Sequence, residues 1–393
     1  MAMYNRTPHH TISFCLKILA LILVILSVIS TVRGCMNAMK FPSGSFDFHY
    51  DTAKFISLRL NPYTEALNPS SKSKELGLEM YYGDIDGLQF PSMLPILMLF
   101  TPFEPMTANL LWCICNVFFS LGIAVLIKIL FFDGLYHGKN SRLVYIIFAA
   151  LLFTCTPFRN NIGNGQETIA AFFFFLLSLR LSEKNHRTAA GISLSLSFLK
   201  YTLNIPLALY YVYKRKYKEI LLSILIHLVL HIAASIWLGA SPVDLILIPL
   251  KLSAGTASAG FYDICSLMNI QSTVVSAVLF ILMSAFVYYC SIKLPGHDYE
   301  VISMLAVFSL IFVYHRIYDY FILILPLIIV MTSNKYSLAD KIITCLSIAY
   351  IFFFQRAAMT FCSESVYTVI HYVFAAVFYL MFFRLTYKLA KNM

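Results

Sequence analysis

The stretch "ISFCLKILALILVILSVISTV" at Ile12–Val32 carries one charge, Lys17, in an otherwise apolar or small-polar run. A helix of this length covers about 30 Å, the thickness of a bilayer's hydrocarbon core. A secretory signal peptide is the competing reading. Its apolar core would be shorter, and Arg33-Gly34-Cys35 is not a small-x-small cleavage site. The run therefore reads as a retained helix and anchor. Similar runs recur outward from it, at about 107–132, 143–157, 167–181, 188–199, 203–213, 219–239, 273–293, 300–313, 320–333, 340–355 and 367–387. The pair within 188–213 can be a single bent helix. "FPSMLPILMLFTPF" (Phe90–Phe103) is apolar, short and bounded by proline, as a re-entrant or interfacial piece would be. A barrel would need alternating segments of about ten residues, and these runs are continuous. The fold class expected is all-α, a polytopic helical membrane protein with about 10–12 transmembrane helices.

Composition agrees. Hydrophobic residues make up 60% of the 393 positions and charged residues 12%, against about 25% charged in a soluble domain. The net charge of +10 is scattered over short loops rather than gathered on a face, which argues against nucleic acid and for topology. With the N-terminus in the cytoplasm and the runs alternating, 18 of the 29 Lys and Arg but only 6 of the 19 Asp and Glu fall inside. "YKRKYK" (Tyr213–Lys218) is the clearest inner marker. This places the chain in a plasma (inner) membrane, multi-pass, with its unusual polar clusters all on the outer face. The nine cysteines lie mostly within apolar runs and read as small buried hydrophobes. A disulfide among Cys35, Cys265 and Cys362 requires an oxidising compartment. No spacing resembles a zinc site, and neither metal nor cofactor is expected.

Ionisable residues at membrane depth are costly and mark function, so the outer clusters are the candidate site. "SGSFDFHYDTAKFISLRLNPY" (Ser43–Tyr63) lies in the first and largest outer loop, about residues 33–90. Asp47 and Asp51 share a face if this stretch is helical, with Phe48, Phe55 and Leu58 as an apolar stripe lying on the membrane. Pro62 ends it. Asp47 is then either a helix cap or a general base toward an acceptor hydroxyl; Asp51 is solvated or paired with Lys54 one turn on. "YHRIYDY" (Tyr314–Tyr320) is either a polar hairpin or an anion clamp through His315 and Arg316. Lys200 in "SFLKYTLN" serves no topological purpose and needs a partner or a cavity. "GNGQET" (Gly163–Thr168) sets Gly165 and Gln166 at a helix start, suited to an anion or a sugar hydroxyl, or simply to a turn. His227 and His231 in "HLVLH" lack the glutamate of a zinc protease and read as interhelical hydrogen-bonding groups.

Taken in order, these motifs resemble glycosyltransferase family 87, of the GT-C superfamily, which includes polyprenyl-phosphate-mannose-dependent mannosyltransferases. "DFHYDTAKFISLRLNPY" resembles the family's Asp-bearing first loop, and "FPSMLPILMLFTPF" occupies the place of its Tyr-Pro-Pro stretch. "GQET" stands for Gly-Gln-x-Asn, "FLKYTLNIPLALYYVYKRKYKE" for the Lys…Pro…Arg/Lys stretch, and "YHRIYDYFILILPL" for the late His loop. Glu167 and Thr168 depart from the pattern, and Phe90-Pro91-Ser92 is a reduced Tyr-Pro-Pro. The resemblance implies one GT-C-type domain over 1–393 and a hexosyltransferase, most of all a mannosyltransferase. Such an enzyme takes its sugar from a polyprenyl-phosphate donor and passes it, with inversion, to a lipid- or glycan-linked acceptor. It maps the catalytic base onto Asp47. Lys200, His315, Arg316 and Arg356 are the cations available to the donor phosphate. His49, Tyr50, Gln166, Tyr318 and Asp319 are the expected substrate contacts. The partners are then donor, acceptor and membrane lipids, and no nucleic acid. A transporter or flippase for a lipid-linked glycan, or a glycan polymerase, is the alternative. The chain shows neither the internal repeat of many transporters nor the large late outer loop of a polymerase.

Overall fold

The structure, a computed structural model, describes residues 8–40, 48–67, 70, 89–254, 262–268 and 273–393. Among these it is helical throughout, with no strand. In chain order the α-helices of seven or more residues are α1 (Pro8–Ala38), α2 (Tyr50–Ser57), α3 (Pro105–Ile127), α4 (Ser141–Thr154), α5 (Thr156–Asn164), α6 (Thr168–Glu183), α7 (Arg187–Ser197), α8 (Tyr201–Tyr213) and α9 (Tyr217–Leu238). They continue with α10 (Asp244–Ala254), α11 (Thr273–Lys293), α12 (Asp298–Ser309), α13 (Ile324–Thr332), α14 (Leu338–Ala349), α15 (Gln355–Phe361) and α16 (Glu364–Lys391).

Seven stretches are long and apolar enough to cross a membrane: Phe14–Ala38, Pro105–Leu135, Arg187–Tyr213, Tyr217–Leu238, Val274–Lys293, Leu338–Phe361 and Glu364–Lys391. The bent pair α4–α5 makes an eighth if counted as one span. Arg187–Tyr213 counts once by length, but the chain turns at Phe198–Lys200, where Lys200 leaves helical geometry (φ −119°, ψ 74°), and Lys216 Nζ reaches back to Ser182 O at 2.8 Å, so α7 and α8 bring the two ends of the stretch back together. The difference from 10–12 lies in short apolar helices, α6 and the Ile317–Thr332 stretch among them, which neighbouring helices bury.

Local chemistry explains the breaks. Pro157 cannot continue a helix, since it lacks an N–H and clashes with the preceding turn; Cys155 is extended there, and α4 and α5 meet at a 49° bend. "FRNNIGN", which reads as a loop from its polarity, is thereby helical. Gly165 (φ 71°) and Gly239 (φ 62°) end α5 and α9 in the left-handed conformation that costs glycine little. α14 starts on a capping box, Ser337 and Asp340 bonding each other's backbone N–H groups. The core runs through α6, α8, α12 and α13, with α12 buried along nearly its whole length. Around it α1 packs on α4 and α5, α3 on α6, α7 on α9, and α16 on α12 and α14. "FPSMLPILMLFTPF" forms two short turns, Pro91–Met93 and Pro95–Met98, which rest on α9 and α2.

Candidate active site

The site is built on the sharp turn between α5 and α6. There Gln166 N–H returns to Asn161 O at 3.0 Å, and α3 holds the turn from behind. Trp112 Nε1–H donates to Gly165 O at 2.8 Å, and Asn116 Nδ2–H to Gln166 O at 3.2 Å. A Cβ at Gly165 would stand 2.9 Å from Phe48 Cβ and 3.0 Å from Asn109 Oδ1, so glycine lets the loop before α2 approach the turn. Phe48 stacks on Trp112 at 5.4 Å between ring centroids. His49 then donates its backbone N–H to Glu167 Oε1 at 3.2 Å, and its Nε2 lies 3.7 Å from Glu167 Oε2.

From the same turn the contacts continue toward the late His loop. Lys200, between α7 and α8, donates to Gln166 Oε1 at 3.2 Å and stands 3.7 Å from Asp319 Oδ1. Its ammonium lies 5.1 Å from the centre of the Tyr318 ring. Thr168 Oγ1–H donates to Asp319 Oδ1 at 2.6 Å, and His315 Nδ1 meets Asp319 Oδ2 at 3.0 Å. Asn161 Nδ2–H donates to Tyr318 O at 2.8 Å, tying α5 to the same loop. His49, Gln166, Lys200, His315, Tyr318 and Asp319 are thus linked through one set of contacts, although they come from four separate stretches of sequence.

Two of the cations that the sequence reading offers to an anion meet a carboxylate of this chain. Both Lys200 and His315 engage the Asp319 carboxylate, so Asp319 aims and partly neutralises them. His315 is 1% exposed, and its Nε2 meets no hydrogen-bond partner among the described residues. Arg316 is half-buried and donates from Nε to Tyr314 Oη at 3.1 Å. Tyr50 is buried and donates to Phe103 O at 2.7 Å. Arg356 stands apart from Lys200 and His315. It lies in a separate cleft and donates to Asn160 Oδ1 at 3.1 Å. Asp47 lies outside the described residues.

The family model for glycosyltransferase family 87 matches residues 91–318, more than half of the chain. The chain belongs to glycosyltransferase family 87. No curated protein and no solved structure matches it. The span matched by the family 87 model holds Gln166, Lys200, His315, Arg316 and Tyr318. His49, Tyr50, Asp319 and Arg356 lie beyond its ends, so their association with the family residues rests on the contacts above.

Two features of this family 87 site differ from the sequence reading or were missed by it. Asp51 is neither solvated nor paired with Lys54. It is 9% exposed, its Oδ1 has no hydrogen-bond partner, and Lys54 instead donates to Thr101 O at 2.5 Å. The reason is that α2 packs into the protein instead of standing exposed. It starts at Tyr50 and buries Tyr50, Asp51, Thr52, Ala53, Phe55 and Ile56. Burial holds the Asp51 carboxyl well above the ordinary carboxylate range. Glu167 is fully buried and anchors His49, a role unmarked in the motif. The one available signal was a carboxylate set at the mouth of an otherwise uncharged helix start.

Proposed function

We propose that the chain transfers a hexose, mannose foremost, from a polyprenyl-phosphate donor to a lipid- or glycan-linked acceptor at the outer surface of the plasma membrane, with inversion. Family membership supports sugar transfer. The joining of Gln166, Lys200, Asp319 and His315 at one turn is the observation that carries the placement of the reaction.

In this reading the acceptor oxygen attacks the anomeric carbon from the side opposite the phosphate. The bond from that carbon to the phosphate oxygen breaks, and its electron pair leaves with the phosphate. Charge grows on the leaving oxygen, where Lys200, Arg316 and, in the imidazolium form, His315 Nε2–H can meet it. Asp319 holds Lys200 and His315 in register. Gln166 and Tyr318 are suited to sugar hydroxyls and the sugar face. Asp47 takes the acceptor proton, and the residues that follow it, Phe48 and His49, are anchored at the turn. Glu167 fixes His49 beside them.

The test is incubation of the purified protein with a panel of polyprenyl-phosphate sugars, reading both hydrolysis and transfer. Use of one member, with the anomeric configuration reversed in the product, is expected. Turnover of nucleotide sugars but of no polyprenyl-phosphate sugar would sink the donor assignment.

A further inference from the structure

We infer that a second, separate cationic cleft binds the phosphate of a lipid. The cleft has a volume of about 380 Å³ and is lined by Arg33, Met36, Asn37 and Lys40 from α1 and the residues just after it, Arg159 from α5, and Arg356 from α15. No acidic residue lines it among those described.

Three guanidinium groups of like charge are held around one opening by a rigid seam. A Cβ at Gly34 would lie 3.0 Å from Ile162 Cβ and 3.3 Å from Arg159 O; one at Gly163 would lie 3.0 Å from Asn37 Cβ. The two glycines let α1 and α5 touch along their backbones, which sets Arg33 against Arg159. Asn160 accepts from Arg356 and brings the third guanidinium to the same place. Crowding like charges is unfavourable unless something of opposite charge offsets it. A phosphate group presents several oxygens at once to planar guanidinium forks, so that more than one arginine can engage it bidentately.

The surroundings point to a lipid as the bearer of that phosphate. The cleft opens at the last turns of a candidate membrane span, Phe14–Ala38. Below it α1 exposes Ile25, Val28, Ile29 and Val32, and beside it α15 exposes Met359 and Phe361. Hydrocarbon chains can lie along these surfaces while the headgroup sits among the arginines. The cleft is not the site on the α5–α6 turn. Asn161 bonds to Tyr318 O on one side of α5, while Arg159 lines the cleft on the other and Asn160 accepts from Arg356 beside it.

Native mass spectrometry of the full chain in neutral detergent tests this, since lipid retention does not depend on sugar transfer. The probes are a polyprenyl monophosphate, dioleoylphosphatidylglycerol, dioleoylphosphatidylcholine and inorganic phosphate. One or both anionic lipids should be retained at least about tenfold better than phosphatidylcholine. Arg33→Gln with Arg159→Gln should lose about tenfold or more of that retention, the scale of a lost charged hydrogen bond. Preference for the polyprenyl monophosphate identifies a substrate lipid; preference for phosphatidylglycerol identifies a bilayer lipid. If the double variant fails to elute as a single species, Arg356→Gln, at an exposed position, carries the same expectation of a several-fold loss. Equal retention of phosphatidylcholine, unchanged retention in the variants, or inorganic phosphate bound as well as either lipid would overturn the inference.

Discussion

At the residue scale the two aspartates near the first span take different parts. Asp51 is buried with its own Oδ1 unsatisfied and is favoured in its neutral form, so Asn is nearly its isostere. Asp51→Asn should therefore keep much of the transfer activity. The sign of its pH effect follows from the raised value. Proton binding favours the folded α2, and that contribution is complete below the unfolded carboxylate range near ~3.9 and is lost as pH rises through the higher folded value. Amide exchange in α2 should accordingly slow in Asp51→Asn relative to wild type at neutral pH, by about tenfold per unit of raised pKa. Near pH 4 the two should converge; equal exchange at both pH values contradicts the assignment. Asp47→Asn removes the proposed proton acceptor while keeping size. It should insert and bind the donor normally yet lose nearly all transfer, and near wild-type transfer would refute the base.

Lys200 poses a sharper question, because its removal leaves Asp319 buried with one partner fewer. Lys200→Ala should destabilise the protein by about 3 kcal/mol, the scale of a broken buried pair. Adding Asp319→Asn should recover thermal stability but not transfer. His315→Ala should cost about 2–4 kcal/mol in kcat/KM toward the phosphate donor, by the measure of lost oxyanion donors. Unchanged donor kinetics in His315→Ala would reduce that residue to packing.

At the element scale, the helices long enough to cross were legible from hydropathy alone, because continuous apolar length decides them. Elements whose form depends on neighbours were less so. α5 looks like a loop because Arg159, Asn160, Asn161 and Asn164 are polar, yet contacts with α1 and the Tyr318 loop make it a helix. α2 looks like a surface helix because Asp51 and Lys54 suggest solvent, yet it is covered. Lys200 was singled out by the cost of a charge at depth, His315 by its place beside Arg316 in a polar cluster, and Gln166 by its place at a helix start. Asp319's role as their common partner and Glu167's grip on His49 depend on contacts between distant stretches, which spacing does not encode. The glycine of the α5–α6 turn gives a test. Gly165→Ala meets a left-handed φ and Phe48 Cβ at 2.9 Å, and should cost about 1–3 kcal/mol. Because it displaces Phe48 from Trp112, it should lower transfer more than it lowers melting temperature. Activity falling only in step with stability would show that the turn merely supports the fold.

For the whole molecule, the charge split predicts which ends of the helices face outward. α16 runs from Glu364 to Lys391, acidic at its start and basic in its last turn. In a background stripped of reactive native cysteines, Glu364→Cys should react with a membrane-impermeant thiol reagent from outside. Asn392→Cys and Lys216→Cys should react only after permeabilisation. Outside labelling of Lys216→Cys would invert the topology and move the proposed chemistry to the other compartment.

α5 is nine residues long and serves as the party wall of two rooms. Asn161 and the turn after it belong to one; Arg159 lines the other. Neither surface can be remodelled without the other noticing, because a shift of the wall that widens one room narrows its neighbour. Selection for a new sugar or a new lipid should therefore yield paired changes straddling this helix, and saturation libraries confined to 159–161 should produce variants in which two specificities drift together.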